Sequence, residues 1–427
     1  MCVKSLLLLA PLLAACAQPT TPPEQYEYTL APATQWSGGS VTIRSGFFRG
    51  RTSLPAVIAG ADTVLLRRID DSTVAFTLPI GPSGSTHLLL ATGHGPEAIG
   101  AVGRVGQASR VDISPVPQVA LVAATHGTGP VYIGAQYNQS VNEFEVVEVD
   151  PVSGTSVLHS GLYTPNGYYG AGISYRADRF LLEDATDSLK VWQLWPGPQP
   201  VAVAPFGQGT PVRLAAQLTD STWLVSYNHW TDTYGPVPVS HLPAEDPWTL
   251  FYSPRGDRLA MSNVATSLPG SPVFDTRTGD TAFTITGVRA VQWADFGADG
   301  STLYVLGAYY YQVPLGDSIY VLDATSGQRV RAPVAMPDSF TALTMARDPV
   351  QDLLFVQGYR TCGPSILVYQ ASSFAQVGEL KGEGSVEDCF NASWSGMMTV
   401  DQVLQKLYLL WVGGQGPAPL WTFDLMP

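Results

Sequence analysis

Short runs of alternating apolar and polar residues set the pattern of the first part of the chain. Residues 40–47, 72–79 and 86–93 alternate in this way, with glycine, proline or serine at their ends. A period of two places every second side chain on one face, as in a half-buried β-strand. The pattern predicts an all-β first unit over residues 26–114.

A longer repeat runs through residues 115–427. Equivalent leucines stand at Leu259, Leu303, Leu354 and Leu407, each inside an apolar run that follows a polar turn. Repeats of about 40–50 residues with four short strands are typical of β-propeller blades. Roughly 310 residues at about 44 per blade predict seven blades, and six or eight are the less favoured counts.

The last repeat has three clear strands and therefore needs a fourth. Residues 110–114 (Arg-Val-Asp-Ile-Ser) precede the repeats and alternate like a strand. We expect this segment to complete the last blade, since closing the ring removes an open sheet edge.

Two resemblances to known families support this all-β reading. The segment Gly38–Phe48, with a Thr-Leu-Pro strand end later, resembles the TIG/IPT immunoglobulin-like family, although Ser45-Gly46-Phe47-Phe48 departs from its usual Gly-x-Asn-Phe pattern. The repeats resemble YVTN and WD40-like propellers, although no WD dipeptide marks them. The resemblances imply an Ig-like β-sandwich over 26–114, acting as a spacer or binding module, and a β-propeller over 115–427.

The N-terminus has the order of an export signal. Lys4 precedes an apolar run from Leu6 to Leu13, and small residues follow. The run is about 10 residues, too short for a spanning helix of about 20. The segment Leu13-Ala14-Ala15-Cys16 resembles the lipobox of bacterial lipoproteins; an ordinary signal with a chance cysteine is the alternative.

The lipobox resemblance implies several further properties. Residues 1–15 are removed as a lipoprotein signal peptide, and Cys16 carries the lipid that holds the chain to the bilayer. Ala17 implies sorting to the outer membrane of the cell envelope. Residues 16–25 are rich in proline and read as a flexible tether, which reaches roughly 30 Å when extended.

Composition and charge narrow the range of partners. Only 13% of residues are charged, and the net charge is 22 − 35 = −13. This excess of acid argues against nucleic acid and against electrostatic binding to anionic lipid. No stretch after the signal is long and apolar enough to span a membrane.

Two cysteines remain for the exported domains. Cys2 leaves with the signal and Cys16 takes lipid, so Cys362 and Cys389 are left in an oxidising compartment. We expect a Cys362–Cys389 disulfide; two free buried thiols are the alternative.

A search for catalytic and metal motifs gives no catalytic residue, no metal site and no cofactor. Gly-x-Ser-x-Gly, His-Glu-x-x-His, a phosphate-binding loop and an EF-hand loop are all missing, and the six histidines share no metal-ligand spacing. Asp-turn-Gly segments recur in several repeats, which indicates turn chemistry rather than a site.

Aromatic residues cluster in the predicted loops between the second and third strands of the blades, the B–C loops. Such loops gathered on one face of a rigid scaffold favour a binding surface. The alternative is that the rings pack on neighbouring loops. The candidate binding face comprises Tyr137, Tyr227, His229, Trp230, Tyr234, Tyr309, Tyr310, Tyr311, Tyr359 and Arg360.

Three functions remain open at this point. The favoured one is a membrane-anchored envelope protein whose propeller binds or scaffolds a protein or glycan partner. The alternative is a propeller enzyme of the lyase, hydrolase or quinone-dependent dehydrogenase type, which would concentrate acids, histidine or arginine near the central mouth. The third is a purely structural lipoprotein.

Overall fold

The computed structural model of the chain describes a nearly all-β protein. Side-chain detail covers mainly residues 26–113 and 250–426. The described backbone runs from 26 to 426, except for residues 80, 114–117, 125–129, 139–142, 151–152, 154, 164–170, 174–178, 184–187, 194–198, 206–213, 218–222, 227–230, 235–240, 243–249, 254, 262–269, 289–290, 298, 308–317, 339, 360–363, 382–394 and 413–417. No helix in this described part is long and apolar enough to cross a membrane.

The chain divides into two compact units that are not contiguous in sequence. Unit 1 contains residues 1–33, 40–77 and 86–102, and unit 2 contains residues 34–39, 78–85 and 103–427. The chain therefore passes between the units five times, and the division does not fall at residue 114.

Two sheets are built from the strands before residue 106. Their orders are β1-β3-β7-β6 and β2-β9-β8-β4-β5, and β2 runs parallel to the end of β9. The first ten strands are β1 (Thr29–Ala31), β2 (Thr34–Trp36), β3 (Ser40–Arg44), β4 (Ala56–Ala59), β5 (Asp62–Leu65), β6 (Arg67–Arg68), β7 (Thr73–Thr77), β8 (Gly84–Thr92), β9 (Gly95–Val105) and β10 (Gln107–Ile113).

The three strands predicted in the first unit are confirmed as β3, β7 and β8. The first of them is shorter than the predicted run, because the Ser45 hydroxyl accepts the Phe47 N–H and starts a 3₁₀ helix over Gly46–Phe48. A local side-chain bond of this kind competes with the strand ladder. Phe47 and Phe48 are both buried, so the turn still contributes to the core.

The rest of the described chain forms seven four-stranded blades. Within each blade we call the strands A to D in chain order. The strands are β11 (Gln118–Ala124), β12 (Val131–Asn138), β13 (Glu143–Val149), β14 (Ser156–Tyr163); β15 (Ala171–Ile173), β16 (Arg179–Glu183), β17 (Ser188–Gln193), β18 (Gln199–Pro205); β19 (Leu214–Gln217), β20 (Trp223–Ser226), β21 (Thr231–Tyr234), β22 (His241–Leu242); β23 (Leu250–Tyr252), β24 (Arg258–Met261), β25 (Ser271–Asp275), β26 (Thr281–Ile285); β27 (Val291–Phe296), β28 (Thr302–Gly307), β29 (Ser318–Asp323), β30 (Val334–Ala335); β31 (Thr341–Asp348), β32 (Leu353–Tyr359), β33 (Pro364–Gln370), β34 (Gln376–Lys381); and β35 (Ser395–Asp401), β36 (Lys406–Val412), β37 (Ala418–Asp424) with β10.

The predicted seven blades and the predicted closing strand are both confirmed in the described chain. β10 pairs antiparallel with β37, from Gln107 opposite Phe423 to Ile113 opposite Ala418, and supplies strand D of blade seven. Blades two and three share one eight-stranded sheet, because their A strands β15 and β19 pair in parallel.

The cores of the propeller lie between neighbouring blades. The repeat leucines Leu259, Leu303, Leu354 and Leu407 are all fully buried on strand B of blades four to seven. One core joins blades four and five, a second joins five and six, and a third joins six and seven. A blade sheet has two apolar faces, so each blade needs a neighbour on both sides.

Candidate functional site

The blades have two ends of different construction, which we name the turn face and the loop face. The turn face carries the A–B and C–D turns, and the loop face carries the B–C and D–A connections. In blade five, five residues separate β27 from β28, whereas ten separate β28 from β29. The ten-residue connection contains three of the predicted aromatic positions, whereas the B–C connections of blades one, three and six span four residues each.

Most of the predicted site lies outside the described residues. Three of its positions are described in their backbone: Tyr359 ends strand B of blade six and Tyr137 is next to last in strand B of blade one, both at the loop face, and Tyr234 ends strand C of blade three. The remaining predictions stay untested, and the residues outside the description are Tyr227, His229, Trp230, Tyr309, Tyr310, Tyr311, Arg360, Cys16, Cys362 and Cys389.

The assignment of Tyr234 to the B–C loop is wrong. Residues 231–234 form β21, strand C of blade three, and Tyr234 pairs with Trp223 at the start of strand B. Tyr234 therefore lies at the turn-face end of the blade. The run Thr-Asp-Thr-Tyr is rich in residues that favour strands, and this preference ends the loop at residue 230.

The Asp-turn-Gly segments form the C–D turns. The Asp275 N–H donates to Asp280 and the Gly279 N–H to Asp275 O, and the same two bonds recur at Asp323 in blade five. The Asp323 carboxylate also accepts the Thr325 and Ser326 N–H groups. These bonds lower the pKa of the Asp323 carboxyl. The repeated aspartates are turn-forming groups, as the sequence predicts.

In blades four to seven, a second backbone bond ties the residue after strand C to the A–B turn of its own blade. Its acceptor is always the last residue of the A–B turn. The bonds run from Thr276 N to Asp257 O (3.1 Å), Ala324 N to Ser301 O (2.8 Å), Ala371 N to Asp352 O (2.7 Å) and Leu425 N to Gln405 O (2.9 Å). The turn face of blades four to seven is therefore closed by one repeated scheme.

A side-chain network joins the A–B turns of blades six and seven. Gln351 Nε2 donates to Gln405 Oε1 at 2.8 Å and to Leu425 O at 3.1 Å. Gln405 Nε2 in turn donates to Asp348 Oδ1 at 3.3 Å. Asp348 is fully buried, so losing a donor there would leave a buried carboxylate less satisfied.

The innermost strands of blades five and six bring an acid and a base together. Asp295 on β27 accepts backbone N–H bonds from Phe296 and Arg347, yet burial dominates and raises the pKa of its carboxyl to about 7. The Arg347 side chain is 9% exposed and donates from Nη2 to Asp352 at 3.2 Å. Its Nε and Nη1 have no hydrogen-bond partner among the described residues.

The pair of Asp295 and Arg347 was missed by the sequence analysis. Each residue occupies a position that is apolar or small in the other blades, and nothing in the local pattern relates one to the other. A charged residue at a predicted inner-strand position is the signal that could have drawn attention to them. Among the described residues, no group of three or more His, Cys, Asp or Glu side chains could hold a metal ion.

Trp36 was also missed. It precedes the first long strand in sequence, yet it is 9% exposed and belongs to the core of blades six and seven. Its ring meets Phe355 edge-on with 6.0 Å between centroids. A Cβ on Gly378 would overlap the Trp36 indole, so a glycine is required at this point of β34.

Comparison with known proteins shows the fold but no family. No family model matches the chain, and no curated protein matches it. Among solved structures, the chain is similar to the β-propeller domain of Cps50 (Swd1) from Myceliophteria thermophila. The TM-score is 0.51 and the identity 11%, over 75% of this chain and 99% of that one. At this identity the likeness shows the β-propeller fold alone.

Proposed function

We propose that this chain is a lipid-anchored lipoprotein of the bacterial cell envelope, and that its propeller binds a protein or glycan partner through the loop face. The first unit serves as an immunoglobulin-like module between the anchor and the rest of the chain. The outer membrane is the proposed site of anchoring. No observation among the described residues favours a propeller enzyme. We therefore propose the binding function alone.

The difference between the two faces is the observation that carries this proposal. The turn face of blades four to seven uses one hydrogen-bond scheme and short turns. At the other end, the B–C connection of blade five spans ten residues, and three consecutive tyrosines stand at 309–311, whereas the aromatic B–C connections of blades one, three and six span four residues each. Long aromatic loops on a rigid scaffold are typical of recognition surfaces, because Tyr offers contact area with few rotatable bonds.

Affinity capture from the native envelope tests the binding function. The lipidated chain is compared with a Tyr309→Ala/Tyr310→Ala/Tyr311→Ala variant and with Arg277→Ala, whose side chain is 74% exposed on the turn face. We expect one partner or glycan class to be retained by the wild type and by Arg277→Ala, and lost from the triple variant. Equal capture by all three chains would place binding elsewhere.

The anchor is tested separately with Cys16→Ser. Two or three acyl chains hold a protein to a bilayer almost permanently. A variant that carries no acyl chain loses this anchor. We expect Cys16→Ser to move from the membrane to the soluble fraction. A variant that stays in the membrane fraction would contradict lipidation at Cys16.

A further inference from the structure

The tips of the four described A–B turns differ in polarity. The third residue from the end of each turn is Arg255 in blade four, Asp299 in blade five, Val350 in blade six and Val403 in blade seven. Val350 is 62% exposed and Val403 is 66% exposed. The same structural position is therefore charged in two blades and apolar in the next two.

The exposed apolar residues of blades six and seven lie on turns that are joined to each other, and we call them the apolar tip patch. It consists of Val350, Val403, Leu404 and Met426, and the last two are 37% and 52% exposed. The turns that carry these residues are joined directly, since Gln351 bonds both to Gln405 and to the carbonyl of Leu425.

Two ion pairs lie beside the apolar tip patch, and the buried carboxylates of Asp348 and Asp401 beneath it accept the N–H groups of Val350 and Val403. Arg347 holds Asp352 at 3.2 Å, and Lys406 holds Asp424 at 2.6 Å. The side chains between the tips are glutamines, which are neutral. The exposed side chains at the tips are therefore apolar or neutral, although the chain as a whole is acidic.

Folding does not require these apolar tips. Blades four and five make the same bond from the C–D turn to the A–B turn with Arg255 and Asp299 at the tips. Grouped apolar side chains in water generally mark a contact surface. The patch has only four side chains, far below the about 800 Å² that each partner buries in a stable dimer. A second copy of the chain is therefore a poor occupant.

The chain reaches the ring close to the apolar tip patch. The chain enters the ring at the turn face of blade seven, where the Asp424 N–H donates to Gly106 O and Gln107 pairs with Phe423. Residues 34–39 already belong to unit 2. Eighteen residues lead from Cys16 to Thr34, which limits the distance between them to roughly 60 Å.

We propose that the apolar tip patch rests on the bilayer surface, in the headgroup region of zwitterionic lipids. This inference rests on the proposed lipid anchor at Cys16. The anchor keeps the patch close to the bilayer, which acts as a high local concentration of lipid. A contact that is too weak to hold the protein on the bilayer by itself is therefore occupied. Neutral glutamines around the tips favour uncharged lipid over anionic lipid, and exposed Val, Leu and Met side chains insert at the boundary with the acyl chains.

An environment-sensitive thiol label tests the contact. The lipidated full chain carries the label on Val403→Cys, or on Arg255→Cys as the matched turn position, and is bound to phosphatidylcholine vesicles. The protein without an added cysteine gives the background from Cys362 and Cys389. An insertion depth of about 5–10 Å excludes iodide, so quenching at position 403 should fall to roughly half of that at 255.

The outcomes separate the contact from the anchor. Lower quenching at 403 than at 255 on vesicle-bound protein supports the proposal. Equal quenching at the two positions, with the protein still on the vesicles, overturns the contact and leaves the anchor intact. Loss of the lipidated protein from the vesicles overturns both proposals, because the contact depends on the anchor.

Discussion

The turn faces of blades four and five and of blades six and seven share one backbone plan and carry different surfaces. In both pairs the residue after strand C donates to the last residue of the A–B turn. Blades four and five place Arg255 and Asp299 at the tips, whereas blades six and seven place Val350 and Val403 there. The backbone bonds maintain the fold, so the tips are free to differ, and their difference carries functional information.

The second difference is what packs behind the tips. Blades six and seven share their core with Trp36 and Val105, which precede the propeller repeats in sequence. The core of blades four and five contains only residues of those two blades. Blades six and seven are therefore the part of the ring to which the N-terminal chain is tied.

The largest expected effect comes from removing this tie. Trp36→Ala leaves a cavity beside Phe355 and should lower the free energy of unfolding by about 3–5 kcal/mol. Gly378→Ala should also destabilise, because the new Cβ overlaps the indole. Denaturant unfolding of both variants and of the double variant measures the effect.

The double variant is the control for this prediction. Removing the indole removes the closest overlaps with the Cβ at position 378 and leaves the Cβ of residue 36 at 2.9 Å, so the two changes should be non-additive by more than about 0.5 kcal/mol. Additive losses would show that Trp36 and Gly378 are not in contact in solution.

A smaller effect is expected from the network between the tips. Gln405→Ala removes a donor to buried Asp348 and an acceptor for Gln351, and should cost about 1–3 kcal/mol. Gln402→Ala, in the same turn, should change stability by less than about 0.5 kcal/mol. Thermal unfolding of the two variants checks the difference, and similar losses would argue against the network.

The free energy of unfolding should depend on pH through Asp295, which lies where blade five meets blade six. The pKa of the Asp295 carboxyl is raised from 3.8 to about 7, so between these values the folded chain holds a proton that the unfolded chain releases. The free energy of unfolding should therefore fall as pH rises from 4 to 7, by at most about 1.4 kcal/mol per pH unit. Asp295→Asn keeps a neutral acceptor and should flatten this slope.

Asp275 in blade four gives the opposite sign and serves as the control. Its pKa is lowered to about 2, chiefly by its bond with Arg277. The contribution of the Asp275 carboxylate to the free energy of unfolding is present above pH 3.8 and is lost as pH falls toward 2. Asp275→Asn should thus destabilise at neutral pH by about 1 kcal/mol and have no effect near pH 2. An unchanged slope between pH 4 and 7 in Asp295→Asn would contradict the assigned burial.

The smallest effect on stability is expected at the tips themselves. Val350→Ser and Val403→Ser change exposed side chains that make no described contact with the core, and should shift the free energy of unfolding by less than about 0.5 kcal/mol. Unfolding in denaturant checks this. A large loss would mean that the apolar tips serve folding rather than contact.

The sequence predicts the ring well because its signals are local and repeated. Apolar strand B, Asp-turn-Gly and the closing segment 110–114 each follow from alternation and turn chemistry. The position of Trp36 does not follow from such local signals. It depends on the parallel pairing of β2 with β9, which joins residues about 70 apart in the sequence. The alternation that predicts a strand does not predict its distant partner.

The candidate site was less predictable for the same reason. Tyr234 was assigned to a loop because residues 227–234 were taken as one aromatic loop, although residues 231–234 favour a strand. Asp295 and Arg347 lie on different blades, so only the folded ring relates them. The aligned repeats already show that the four tip residues differ in polarity. Only the structure shows that the turns of blades six and seven are adjacent.

The central claim is that the lipid anchor holds the turn face of blades six and seven toward the bilayer and leaves the loop face free for a partner. Energy transfer from a donor on Val403→Cys, or on Asp338→Cys in an exposed loop-face connection, to acceptor-labelled phosphatidylcholine vesicles tests it on the lipidated chain. The account predicts clearly higher transfer from position 403 than from 338. Equal transfer, or higher transfer from 338, would contradict it.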